Sequence, residues 1–144
     1  MIRPIQEFSS TLGSLAEFLG IPKPNHPETR FTGVSSDTRE LEPGDLFFDL
    51  PSLTSLSASS TNLGGISRDD RIAEAISRGA VAVVSDAERE LLIPSMAIPS
   101  LRNHIGETAA WFYHHPSRAL DVYGITGTNG KTTVTTPVSY THLR

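Results

Sequence analysis

Five consecutive apolar residues, Ala80 to Val84, constrain the fold of this 144-residue chain more than any other stretch. The run is far short of the roughly 20 residues that span a bilayer. Its length and β-branching mark a strand without a polar face, and such strands lie in the middle of parallel sheets covered on both sides. Just upstream, Ser67 stands before Asp70, and Ile72, Ala75 and Ile76 form an apolar stripe as far as Gly79. That is a capped helix with a carboxylate near the positive end of its dipole.

The rest of the chain continues this alternation. Leu12, Leu15, Phe18 and Leu19 recur at helical steps, predicting an amphipathic first helix stopped by Gly20 and Pro22. Phe31 opens FTGVSSDTR, and Pro43-Gly44-Asp45 leads into Leu46-Phe47-Phe48, so two short strands are expected there. Met96 to Ile98 predicts another strand. Leu101, Ile105, Ala109 and Phe112 share one helical face, with Trp111 beside it and Pro116 beyond the end. LDVYGIT is a last strand candidate, and the serine-rich residues 51–67 read as a long exposed loop. Strands alternating with helices predict an α/β fold with a mostly parallel sheet.

Charge and composition narrow the function classes. Sixteen acidic against twelve basic residues leave a net charge of −4. No bulk positive field is there to hold a nucleic-acid backbone or an anionic membrane. The absence of cysteine excludes a disulfide scaffold, a thiolate metal site and a Cys nucleophile, and it suits a reducing cytosol. MIRPIQEF carries charge where a signal peptide needs its apolar segment. The expectation is a soluble, cytoplasmic monomer that binds neither nucleic acid nor membrane. His26, His104, His114, His115 and His142 lack the spacing of zinc ligands, and Asp69-Asp70 at a helix start reads as capping.

Gly127-Thr128-Asn129-Gly130-Lys131-Thr132-Thr133 carries the chemistry. A polyphosphate needs several backbone N–H donors aimed at one point, which a glycine-rich turn permits because a Cβ would block the approach. Donors at the start of a helix add its dipole. Lys131 would supply a point charge and the Thr132 hydroxyl a ligand for Mg²⁺. The full phosphate-loop spacing would place glycine where this chain has Ile125, which leaves the shorter G-x-x-G-K-T after an apolar strand candidate. The alternative for these residues is a plain glycine turn with an exposed lysine.

VYGITGTNGKTTV resembles the ATP-binding loop of the Mur ligases, the ATP-dependent amide-forming enzymes of peptidoglycan precursor synthesis. VSSDTRELEPGDLFF, RIAEAISRGAVAVVSD and FYHHPSRALDVYGITGTNGKTT resemble, in order, the amino-terminal part of the member that adds the third amino acid to UDP-MurNAc-dipeptide. The resemblance spans residues 31–135. The member that adds D-Ala-D-Ala shares the DTR and GDLF opening and stands as the alternative.

The resemblance implies that residues 1–115 form a small Rossmann-like domain, a mostly parallel sheet with flanking helices that holds the uridine end of UDP-MurNAc. Residues 116–136 would begin the central ATP-binding domain, with the first strand and phosphate loop of a truncated P-loop-type domain. The family's nucleotide contacts map onto Ser36 and Thr38, with Asp37 and Arg39 as neighbours. Read from the residues alone, SSDTR is equally a turn whose hydroxyls and carboxylate satisfy local backbone donors. ATP and Mg²⁺ would sit on Gly127, Thr128, Asn129, Gly130, Lys131, Thr132 and Thr133. ATP phosphorylates the substrate carboxylate in this family, and an amine displaces phosphate from the acyl phosphate. Lys131 is then the catalytic residue steadying the γ-phosphoryl, and Thr132 the Mg²⁺ ligand.

Two departures stand out. Asp49 to Arg71 is longer and richer in serine than the family's turn, so no residue is carried over from it. Pro137 would cost about 3 kcal/mol inside a helix, and PVSYTHLR matches nothing in the family, so residues 137–144 are expected to be a foreign tail. Such a fragment is expected not to ligate by itself. The rival readings are an independent NTPase with an atypical loop and a non-catalytic α/β interaction module.

Overall fold

The computed structural model of the chain describes residues 8–51, 67–121 and 126–127. The chain divides into two compact units, 1–114 and 115–144. In the second, the described residues include a 3-10 turn, Pro116–Ala119, with proline in its first turn where a missing N–H costs nothing.

The first unit opens with β1 (Ser10–Thr11), which runs directly into α1 (Leu12–Leu19). Thr11 Oγ1 accepts the Ser14 N–H at 3.2 Å, and Gly20 closes the helix at φ 67°, a conformation that suits glycine. β2 (Arg30–Phe31) pairs antiparallel with β1. There follow β3 (Gly33–Ser35), a 3-10 turn at Thr38–Glu40, and β4 (Asp45–Phe48). Then come α2 (Arg68–Ser77), β5 (Ala82–Ser85), β6 (Ser95–Ala97) and α3 (Leu101–Phe112).

The four strands β3-β4-β5-β6 are all parallel and lie in sequence order. The α/β expectation therefore holds. Ser67 Oγ accepts the Asp69 N–H at the start of α2, and Gly79 turns the chain at φ 95° into β5.

Side chains alternate across the sheet as a period of two requires. Leu46, Phe48, Ala82 and Val84 join Leu12, Leu15, Phe31, Leu101 and Phe112 in the core beneath α1 and α3. Phe47 and Val83 point the other way and pack with Leu41, Ile72 and Ala75 of the α2 layer. Every residue of β4 and of β5 is buried, as a central strand covered on both faces demands.

The segment around Phe31 departs from the expected two strands. It contributes to both sheets: β2 serves the small ribbon, and β3 the main sheet. The switch falls at Thr32, whose N–H donates to the Gly44 carbonyl at 2.9 Å, and the chain changes partner there. The loop expected over 51–67, the strand candidate LDVYGIT, the phosphate loop after Gly127 and the tail from 137 lie outside the described residues, apart from their edges. Among the described residues no helix is long and apolar enough to cross a membrane.

Candidate functional site

In open parallel sheets ligands bind beyond the carboxyl ends of the strands. A cavity of about 450 Å³ lies in that region. Val34 and Ser35 of β3, Phe48 at the end of β4, and Ile105, Ala109 and Tyr113 along one face of α3 give it a largely apolar wall. Ser36, Asp37, Arg39, Glu40 and Glu42 supply its polar side. Tyr113 is fixed edge-on to Phe112 at 4.9 Å and to Phe8 at 5.2 Å.

The SSDTR stretch forms a tight, internally bonded turn. Ser35 Oγ accepts the Asp37 N–H at 3.2 Å and donates to the Asp37 carbonyl at 3.0 Å. Asp37 Oδ1 accepts the Arg39 N–H at 3.0 Å, and the Arg39 guanidinium grips the same carboxylate, Nη2 to Oδ2 at 2.6 Å. Hydrogen bonds from the Arg39 side chain and backbone hold the Asp37 carboxyl at about 2, well below its usual 3.8. The turn reading of Ser35 and Asp37 is thus realised, and it coexists with a cavity.

The two expected substrate residues are placed differently. Ser36 lines the cavity. Thr38 faces α2, where its Oγ1 donates to Glu74 Oε2 at 2.9 Å. Of the expected ATP site, Gly127 is described, at φ 155°. Thr128, Asn129, Gly130, Lys131, Thr132 and Thr133 lie outside the described residues. Among those described, no group of three or more His, Asp or Glu side chains could hold a metal ion.

Next along the sheet, beyond the ends of β4 and β5, is a second polar cluster that the sequence did not announce. Asp49 is fully buried, and its carboxylate meets Arg68 at 2.7 Å and Arg71 at 2.5 Å. Arg68 also reaches Asp86 at 2.8 Å, and that hydrogen bond pulls the Asp86 carboxyl below its usual range. The arginines bind backbone too: Arg71 donates to the Leu50 carbonyl at 2.7 Å, and Arg102 to that of Pro51 at 2.6 Å. The cluster pins the chain as it leaves β4.

Sequence reasoning missed the apolar wall. Ile105 and Ala109 read as core, yet the four-residue step continues to Tyr113, and that extended row is what α3 presents to the cavity.

No family model matches the chain. It is 37% identical over 136 residues to the UDP-N-acetylmuramoyl-L-alanyl-D-glutamate--2,6-diaminopimelate ligase of Streptomyces coelicolor, a match covering 91% of this chain and 24% of that protein. It is 33% identical over 114 residues to UDP-N-acetylmuramyl-tripeptide synthetase 2 of Oceanobacillus iheyensis, covering 76% and 20%. Among solved structures it resembles a UDP-N-acetylmuramoyl-L-alanyl-D-glutamate--2,6-diaminopimelate ligase with a TM-score of 0.56 at 25% identity, over 92% of this chain and 25% of the other. A D-alanyl-D-alanyl ligase from Acinetobacter baumannii, at 18% identity and a TM-score of 0.57 over 91% and 27% of the two chains, shares the fold.

Fold and comparisons together define a class: the homologues of this chain are Mur ligases. Within that family the relatives are mostly of the diaminopimelate-ligase or tripeptide-synthetase kind, and the chain spans about a quarter of their length.

Proposed function

We propose that the first unit is the uridine-nucleotide module of a Mur ligase that adds the third amino acid to UDP-MurNAc-dipeptide in peptidoglycan synthesis. The observation that carries this reading is the 450 Å³ cavity beside Ser36, in a chain whose relatives act, by name, on UDP-N-acetylmuramoyl peptides. Its apolar wall, with Phe48 and Tyr113, suits a planar base. Its polar side supplies hydrogen-bonding groups for a ribose and for base edges. Ser36 contacts the ligand directly, and Thr38 serves the same turn from behind.

Charge sets the orientation. Among the described residues the lining carries one cation, Arg39, already paired with Asp37, and adds the carboxylate of Glu40. A diphosphate inside would be repelled. The cavity therefore takes the uncharged nucleoside end, and the phosphates point out of it. Calorimetric titration with uridine and UDP tests this. Both should saturate one site, and Ser36→Val should weaken both. Absence of saturation by UDP contradicts it.

The same reading assigns ATP to Gly127–Thr133, Lys131 to the charge on the transferred phosphoryl group, and Mg²⁺ to Thr132. Its support is the sequence motif. Bound Mg²⁺–ATP would supply the activating phosphoryl group, and loss of nucleotide binding in Lys131→Ala is the check. With a quarter of a relative's length, this chain is proposed to bind ligands without forming an amide bond. Amide formation by the purified polypeptide would contradict that.

A further inference from the structure

We infer that Glu74, outside the cavity on α2, is a positioning residue for the nucleotide-binding turn; this rests on the reading just proposed. Within the turn, the bonds of Ser35 and Asp37 reach at most two residues along the chain. They shape the turn but cannot aim it. The Thr38 hydroxyl bonded to Glu74 Oε2 connects the turn to the scaffold across 36 residues of sequence, at 2.9 Å and part-buried.

The Glu74 carboxylate is divided between two partners. Oε2 accepts from Thr38, while Oε1 accepts from Arg78 one helical turn onward, at 3.0 Å. Arg78 thus fixes the rotamer in which Glu74 meets Thr38, and a hydroxyl donating to a carboxylate is among the stronger neutral-to-charged hydrogen bonds. Leu41, packed with Ile72 and Ala75, anchors the far end of the turn. With both points fixed, Ser36 and the Asp37–Arg39 pair are held toward the cavity. Neither Glu74 nor Arg78 lines it, so a change at Glu74 reaches ligand through its bond to Thr38 and, at longer range, through its charge on Arg39.

The test uses the full 144-residue chain, with UDP as the probe and backbone amide exchange at Asp37 and Arg39 as a ligand-free readout. Glu74→Ala should weaken UDP binding about three- to tenfold and speed exchange of both amides. Glu74→Gln, which keeps an acceptor for Thr38 but loses the one held by Arg78, should restore part of the affinity. Thr38→Val should reproduce Glu74→Ala, and the double variant should be no worse than either single one. Unchanged affinity in Glu74→Ala overturns the inference while leaving the nucleotide reading intact, whether or not the amides loosen. Additive effects of the two substitutions also overturn it. Failure of the unaltered chain to bind UDP overturns the nucleotide reading, and this inference with it.

Discussion

The carboxylate of Asp49, fully buried where β4 ends, lies 2.7 Å from Nη2 of Arg68 in the first turn of α2. Arg71 holds its other oxygen. A buried carboxylate survives only when its charge is matched and its oxygens are hydrogen-bonded, and the guanidinium groups do both. Which side of the cluster is removed should then matter.

Replacing both arginines by alanine leaves a carboxylate with no compensating charge and should cost about 3–5 kcal/mol of unfolding free energy. Asp49→Ala should cost less, about 1–3 kcal/mol, because the arginines are roughly 30% exposed and can turn to water. Urea denaturation of both variants checks this order. A larger loss in Asp49→Ala than in the double arginine variant would contradict it.

Glycine requirements can be separated at two positions. At Gly79, with φ of 95°, an added Cβ would come within 2.9 Å of the Pro43 backbone, so Gly79→Ala should destabilise by about 1–3 kcal/mol. At Gly106, inside α3, nothing lies within 4 Å of an added Cβ, so Gly106→Ala should stabilise by up to about 1 kcal/mol. Thermal melts should move in opposite directions.

Acid should expose the Asp37–Arg39 pair. The folded carboxyl titrates at about 2, below the ordinary 3.8, so its stabilisation is full above the ordinary value and is lost as pH falls from about 4 toward 2. The group is 37% exposed, so the effect is small and should fade in salt. In low salt, Asp37→Asn should flatten the stability profile across that window, and 1 M NaCl should bring the two profiles together.

The aromatic pairs predict a graded packing response. Phe112 is 3% exposed and stacks on Phe31 at 5.2 Å, so Phe112→Ala should cost about 3–5 kcal/mol. Phe18 is 39% exposed and stacks on Trp111 at 5.1 Å, so Phe18→Ala should cost about 1 kcal/mol. Equal losses in denaturant melts would contradict this assignment.

The contrast at Phe18 also shows what patterning can convey. Helical spacing groups Phe18 with Leu12 and Leu15, but spacing reports a direction and not what lies in that direction. Leu12 and Leu15 meet the sheet, while Phe18 stacks on Trp111 of α3 and stays partly in solvent. Ala82 to Val84 and Leu46 to Phe48 are legible because both faces of a central strand are apolar, so every residue carries the signal. The β1–β2 ribbon pairs two residues with two, too few to show a period. The cavity needs the turn after β3 brought to Tyr113, some 75 residues on, and no local pattern encodes that approach. The bond between Thr38 and Glu74 is hidden for the same reason.

The most direct test of the account is a nuclear magnetic resonance titration of the isotope-labelled chain with uridine and then UDP. Saturable shifts are expected at Ser36, Asp37, Arg39, Ala109 and Tyr113 with both ligands, the extra UDP shifts lying at the cavity mouth. Unchanged resonances at these residues at saturating UDP, or shifts confined to other parts of the first unit, would contradict it.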